Sequence, residues 1–296
     1  MPLSQFDNST CYAVPLSHDC TIWIIENDPL EKLLLNRNLI GLDFTRTCQQ
    51  CSEIFFGHLT PELNDCHDDL AELLILSKGI FYWLHNAYEK TFTKNLELNL
   101  IATKRMNVSA SNIAISVPYC DISSKKRNLV IADTIATGST ICAALDHYLK
   151  YAELEHVFVL SFAGSIVGTR AIALFCEKKE IKVTFLYGLA AFGLADNGFD
   201  LSFLDPHTIC NVRYTQKAKG LFGNKPVSAV GWDFGSQAQS VSKYKSLCWI
   251  EEQYWNVSQY NCFSEKMKPN SCSDVMREKD AFISRQDIVE KLDFDL

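Results

Sequence analysis

Long hydrophobic runs are missing from this sequence. No apolar stretch approaches the roughly 18 residues a membrane span needs, because charge interrupts the longest of them. No membrane partner is therefore expected. A basic excess is missing as well: 28 Lys and Arg stand against 35 Asp and Glu, a formal net charge of −7. A general nucleic-acid binder presents a basic face, so no nucleic-acid partner is expected either. The opening Met1-Pro2-Leu3-Ser4-Gln5 has neither the basic n-region nor the apolar h-region of a secretory signal, and the expected compartment is the cytoplasm. There is no internal repeat, no low-complexity tract, no Walker loop, no Gly-x-Ser-x-Gly elbow and no dinucleotide fingerprint.

What is present is an ordinary globular composition, 47% hydrophobic over 296 residues. At roughly 150 residues per domain this is one large or two small domains, and a core of this size needs no disulfide staples. The twelve cysteines are scattered, and Cys142 and Cys176 sit inside apolar helical runs where the thiol acts as a small hydrophobe. They read as reduced thiols. Cys48 and Cys51, followed by Cys66 and His67, have the spacing of half a zinc site without the second tight pair that a structural zinc needs. Residues 44–48 do not resemble the strand end that a redox Cys-x-x-Cys requires. The seven histidines form no ligand pair at helical spacing, and His207, after Asp205-Pro206, reads as a turn residue. Trp249, Tyr254 and Trp255 read as packing of a C-terminal helix over 244–254.

The organisation changes along the chain. Residues 1–60 read as alternating short strands and helices, with a strand over 20–25 and a short helix over 29–35. From about residue 68 the pattern becomes strand, turn, helix, repeated. Strands are predicted over 71–76, 96–103, 129–132, 156–162 and 181–187, and helices over 80–88, 140–151 and 166–178. Residues 106–126 are polar and mixed and read as a long, mobile loop. Wholly apolar strands alternating with helices predict a parallel sheet covered on both faces. Ligands of such sheets bind beyond the carboxyl ends of the strands, so the turns after Leu76, Ala132 and Phe162 should line one crevice.

The most informative stretch is residues 128–142, Asn-Leu-Val-Ile-Ala-Asp-Thr-Ile-Ala-Thr-Gly-Ser-Thr-Ile-Cys. An apolar strand ends at Asp133. A turn of small and hydroxyl residues follows, Ala136, Thr137, Gly138, Ser139 and Thr140, and then a helix begins. The first N–H groups of a helix lack intrahelical partners and carry partial positive charge. Small side chains let such a backbone close round a phosphate while the hydroxyls add donors. Capping a helix needs fewer hydroxyls than this.

In that stretch the sequence resembles the type I phosphoribosyltransferases, whose signature is an apolar strand, two acidic residues and a Thr-Gly-Gly-Thr-like loop. Residues 130–140 match in order and spacing, with two departures: Ala132 stands where the first acid would be, and Ser139 replaces the second Gly. The resemblance covers roughly residues 65–205. It implies an α/β fold, a doubly wound, mostly parallel sheet with a hood built from flanking N- and C-terminal segments. Residues 1–65 would be a flanking hood segment, 66–205 the core, and 206–296 an extension packed on it. It implies transfer of 5-phosphoribosyl from phosphoribosyl pyrophosphate to a nitrogen heterocycle, with Mg2+ as cofactor and a homodimer as the assembly. By position in the motif, residues 136–140 would hold the 5-phosphate and Asp133 the ribose hydroxyls. Ser77, Lys78 and Gly79, with Lys104 and Arg105, would meet the pyrophosphate. Residues 194–199 resemble, more loosely, the segment before the base-binding strand of uracil phosphoribosyltransferases, and residues 230–237 resemble their Gly-Asp-x-Gly-x-Arg stretch, with Gln237 in place of Arg. A non-catalytic protein of this fold that binds phosphoribosyl pyrophosphate or a nucleotide is the alternative, and Ala132 favours it. An unrelated α/β enzyme using the loop for another phosphorylated ligand is the second rival.

Overall fold

Strands apolar on both faces are stable only where both faces are covered. The computed structural model describes residues 9–229 apart from 18–19, 37–38, 40, 64–65, 77, 110–111 and 225–227. The strands among these residues are β1 (Thr10–Ser17), β2 (Cys20–Glu26), β3 (Leu70–Leu76), β4 (Glu97–Ser109), β5 (Asn112–Asp121), β6 (Asn128–Ala132), β7 (His156–Ser161), β8 (Gly164–Ser165), β9 (Lys182–Gly188), β10 (Ala190–Phe192) and β11 (Ile209–Cys210). The helices are α1 (Asp28–Leu35), α2 (Gly41–Leu63), α3 (Leu84–Phe92), α4 (Ser139–Tyr148), α5 (Ile166–Lys178) and α6 (Val212–Phe222).

Eight strands make one sheet in the order β1-β2-β9-β7-β6-β3-β4-β5. The six inner strands run parallel, and β1 and β5 close the two edges antiparallel. The fold is therefore α/β with a mostly parallel sheet. Residues of α1, α2, α3 and α6 pack into the core on one face; α4 and α5 cover the other. The chain leaves β3 toward β4 on one side and leaves β6 toward β7 on the other. The crevice between β3 and β6 is thus the topological switch point, where open α/β sheets bind ligands. Beyond it, β8 and β10 run on past the carboxyl ends of β7 and β9 and join β11 in a second, three-stranded sheet.

Three sequence expectations change. The predicted loop over 106–126 is largely a hairpin, since β4 continues to Ser109 and pairs with β5. Past Ala102, where its pairing with β3 ends, the hairpin stands out as a two-stranded ribbon. Edge strands of an antiparallel pair carry polar residues readily, so the polar composition that reads as a loop is equally compatible with a hairpin. Second, residues 41–63 form one helix of 23 residues rather than several short elements. Third, the helix predicted over 80–88 begins only at Leu84. A 3-10 turn, Lys78–Tyr82, precedes it, and Trp83 between the two has left-handed backbone, φ 51°.

The segment read as a flanking hood, residues 1–65, supplies β1, β2, α1 and α2, of which β2 pairs directly with β9. The helix expected over 244–254 and the aromatic residues Trp249, Tyr254 and Trp255 lie outside the described residues, as do residues 230–237.

Candidate functional site

The site begins where β6 ends. All five β6 residues are buried, and the strand delivers Asp133 to the carboxyl edge at 7% exposure. Its backbone is held by the neighbouring strand: Asp133 N–H donates to Leu160 O at 3.3 Å, and Ser161 Oγ donates to Asp133 O at 2.7 Å. Thr134 N–H donates to Asp133 Oδ1 at 2.7 Å. Burial pushes this carboxyl up to about 6; the charge of Lys78, the Thr134 amide and the charge of Arg105 pull the other way. Desolvation wins because it penalises the anion directly, while two flexible cations at a solvated rim return only part of that cost.

The turn that follows is stitched to the next strand-helix unit. Ile135 N–H donates to Ala163 O at 3.1 Å, Ser165 N–H donates to Ile135 O at 2.8 Å, and Ile135 bridges Gly164 in parallel. Ser165 Oγ donates to Ala136 O and accepts Gly168 N–H, the latter at 2.7 Å. It caps α5 and fixes the turn before α4 with one hydroxyl. Gly138 turns the chain at φ 77°. A Cβ there would stand 2.6 Å from Gly168 O, and a Cβ on Gly168 would stand 2.6 Å from Ala136 O, so two glycines let the two loops touch. Gly138 caps α4 without any side-chain bond. Among the described residues, the N–H groups of Thr137, Gly138, Ser139 and Thr140 meet no protein acceptor. Thr137 Oγ1 and Ser139 Oγ lie 2.9 Å apart over them. The result is a cup of unpaired donors at a helix N-terminus, the arrangement that binds an anion such as phosphate.

The turn after β3 forms the other wall. A Cβ on Gly79 would come within 3.0 Å of Ala132 O, so the glycine lets this turn lie against the end of β6 and brings the exposed Lys78 within electrostatic reach of Asp133. Arg105, on the ribbon, reaches the same group and lines the cleft with residues 133–138, Thr140 and Ile141. Lys104 precedes Arg105 on the same strand and pairs with Ser116. Arg105 lines the crevice, and the exposed Lys104 beside it does not. Ser77 lies outside the described residues.

Several contributors carry no motif of their own. Tyr82 is buried, its ring 3.9 Å from Phe162 and nearly parallel to it, and its hydroxyl accepts Phe162 N–H at 3.0 Å. Ser52 Oγ, on α2, donates to Tyr82 O at 2.6 Å. These contacts tie the Lys78 turn to the strand that supports Asp133. Ser165 could have been read as a helix cap, since it precedes an apolar helical run; Tyr82 had no local signal. Elsewhere, Cys48 and Cys51 point into the core from α2, with their thiols pushed far up by burial. His207 is 83% exposed, with Nδ1 3.4 Å from Asp205 Oδ1. Asn197 Oδ1 accepts the amides of Phe199 and Asp200, which makes 194–199 a surface turn. No helix among the described residues is long and apolar enough to cross a membrane.

No family model matches this chain, and a search of curated proteins finds no match. Solved structures do match. The AQ2163 protein from Aquifex aeolicus is 18% identical, with 59% of this chain and 95% of that chain covered and a TM-score of 0.44. The adenine phosphoribosyltransferase of Trypanosoma brucei is 14% identical, covering 70% and 98%, with a TM-score of 0.35. The orotate phosphoribosyltransferase of Mycobacterium tuberculosis is 17% identical, covering 55% and 90%, with a TM-score of 0.33.

Proposed function

We propose that the chain is a phosphoribosyltransferase, moving 5-phosphoribosyl from phosphoribosyl pyrophosphate to a nitrogen heterocycle with release of pyrophosphate. One observation carries the reading. A cup of unpaired amide donors at the start of α4 sits beside a buried carboxylate flanked by two cations, at the switch point of a parallel sheet. A donor carrying a 5-phosphate, ribose hydroxyls and a pyrophosphate presents matching groups in that order.

In this reading residues 136–140 hold the 5-phosphate, and Asp133 accepts hydrogen bonds from the ribose hydroxyls. Lys78, Gly79 and Arg105 meet the pyrophosphate, and Lys104 is assigned no contact. Positioning and electrostatic stabilisation supply the rate, with no covalent nucleophile. Mg2+ fits this donor set in one way only. Among the described residues, no three His, Cys, Asp or Glu side chains are grouped to hold a metal, and Asp133 is the one carboxylate lining the cleft. The ion would ride on the substrate's own oxygens, as Mg2+ does in phosphate sites, with Asp133 beside it, and would neutralise pyrophosphate charge. A pyrimidine such as uracil is the favoured acceptor, from the motif at 194–199, and a homodimer the favoured assembly.

Calorimetric titration with phosphoribosyl pyrophosphate, with and without Mg2+, tests the reading. Mg2+-dependent binding that disappears in Thr137→Ala is expected, followed by product formation with one base in a screen. Ala132, in place of a second acid beside Asp133, favours one other outcome: binding without turnover on any base, which would make the protein a sensor of the same ligand. No binding at all would leave the cup to another phosphate.

A further inference from the structure

Away from the crevice, four side chains meet at the edge of the sheet. Cys120, on β5, is partly buried against the α4 side of the core. Its Sγ lies 3.3 Å from His147 Nε2 and 3.5 Å from the hydroxyl of Tyr151, just beyond the end of α4. Lys150 Nζ lies 3.5 Å from the other ring nitrogen, His147 Nδ1. An ammonium can only donate, so Nδ1 accepts and the ring proton of the neutral imidazole sits on Nε2, facing the sulfur. The phenol of Tyr151 is held above its ordinary range by its bond to Cys120, which fits an O–H that also donates to sulfur. Two groups able to donate therefore face one sulfur, with a cation behind them, and Tyr151 is 43% exposed. Thiolates, not thiols, are the nucleophiles of cysteine chemistry, and donors and nearby cations favour them. Seven other thiols among the described residues, those of Cys11, Cys20, Cys48, Cys51, Cys142, Cys176 and Cys210, are each pushed up by burial.

We propose that Cys120 is a thiol–disulfide exchange site, built by His147 and Tyr151, that takes a small anionic disulfide such as glutathione disulfide. The Cys120 thiol loses its proton to solvent and Sγ attacks one sulfur of the disulfide. An Sγ–S bond forms as the S–S bond breaks. The departing half leaves as a thiolate and takes a proton from water. The protein ends as a mixed disulfide and one small thiol is released; the disulfide is the oxidant. Lys150 supplies the positive charge that an anionic partner meets on approach.

The test is a time course of the reduced full-length chain with glutathione disulfide, read by peptide mapping. The first adduct is expected on Cys120. Cys120→Ser should remove it, and His147→Gln should slow it by about tenfold. Tyr151→Phe, at an exposed ring, should slow it several-fold, and this variant decides the matter should His147→Gln fail to fold. A first adduct on any other cysteine, or an unchanged rate in the folded His147 and Tyr151 variants, overturns the proposal.

Discussion

Asp133→Asn should make the protein more stable at neutral pH while abolishing the transfer proposed for it. The carboxyl is held at about 6 in the folded chain against an ordinary 3.8. A folded-state value above the unfolded one means that the folded protein binds the proton more tightly. The stability this confers is complete below the unfolded value, near 4, and is lost as pH climbs through about 6. At about 1.4 kcal/mol per pH unit, the gap corresponds to about 3 kcal/mol. The wild-type protein therefore carries a buried anion at pH 7.5 that its surroundings do not fully compensate. An Asn side chain keeps the bond from Thr134 N–H and carries no charge to desolvate, and the exposed Lys78 and Arg105 are free to swing into water. The assay is urea denaturation of both proteins at pH 4.5 and pH 7.5, alongside turnover. Subtracting the two proteins cancels every other titrating group. The variant should exceed the wild type by about 1 kcal/mol at the lower pH, where the unfolded carboxyl is already mostly ionised, and by about 3 kcal/mol at the higher. Turnover should fall by roughly 100-fold or more. A difference that does not change with pH, or a variant less stable at pH 7.5, would refute the electrostatic account of this residue.

Other predictions address the rest of the framework. Gly138→Ala should cost about 2–4 kcal/mol, from left-handed backbone and a Cβ pressed on Gly168 O; a urea-midpoint shift equivalent to less than about 1 kcal/mol would contradict the packing described. Arg105→Ala should weaken pyrophosphate binding by about tenfold while Lys104→Ala leaves it unchanged; equal losses in calorimetry would mean that both cations reach the crevice. Glu72, 1% exposed on β3, lies 3.5 Å from His85. Burial holds the carboxyl above its ordinary range, and the bond to Glu72 holds the imidazole above its own. Both raised values make the pair stabilising at low pH and progressively less so as pH rises past each range. Glu72→Gln should flatten the pH dependence of the melting temperature, and an unflattened curve would show that the pair does not titrate as described.

How far the sequence could be read follows from where each signal resides. The parallel strands were legible because burial on both faces writes itself as a run of apolar residues, as in residues 73–76 and 157–160. The turn over 136–140 was legible because its requirements are local: a strand end, a glycine that can adopt positive φ, and hydroxyls before a helix. Helix α2 was legible in principle. Phe44, Cys48, Cys51, Phe55, Leu59 and Leu63 recur at intervals of three and four and are all buried, yet Thr, Cys and Phe are indifferent helix formers and Pro61 suggests an earlier stop. The stripe of burial outweighs that propensity once the sheet is there to receive it.

What the sequence withheld is relational. Whether Lys104 or Arg105 enters the crevice depends on strand phase, which is set by how β4 pairs with β3 and β5 and not by any short window of residues. The elevated carboxyl of Asp133 needs the burial supplied by β6 and β7, which no window of residues contains. Ser165 and Tyr82 act across 29 and 80 residues of chain, and each binds one wall of the cleft to its support through a single hydroxyl. Local sequence thus specifies which groups can bind phosphate, while the long-range contacts specify the charge state and the facing of the groups beside it. Substitutions at the motif should therefore act on binding, and substitutions at Ser165, Tyr82 or Gly168 should act first on the geometry that makes the motif usable.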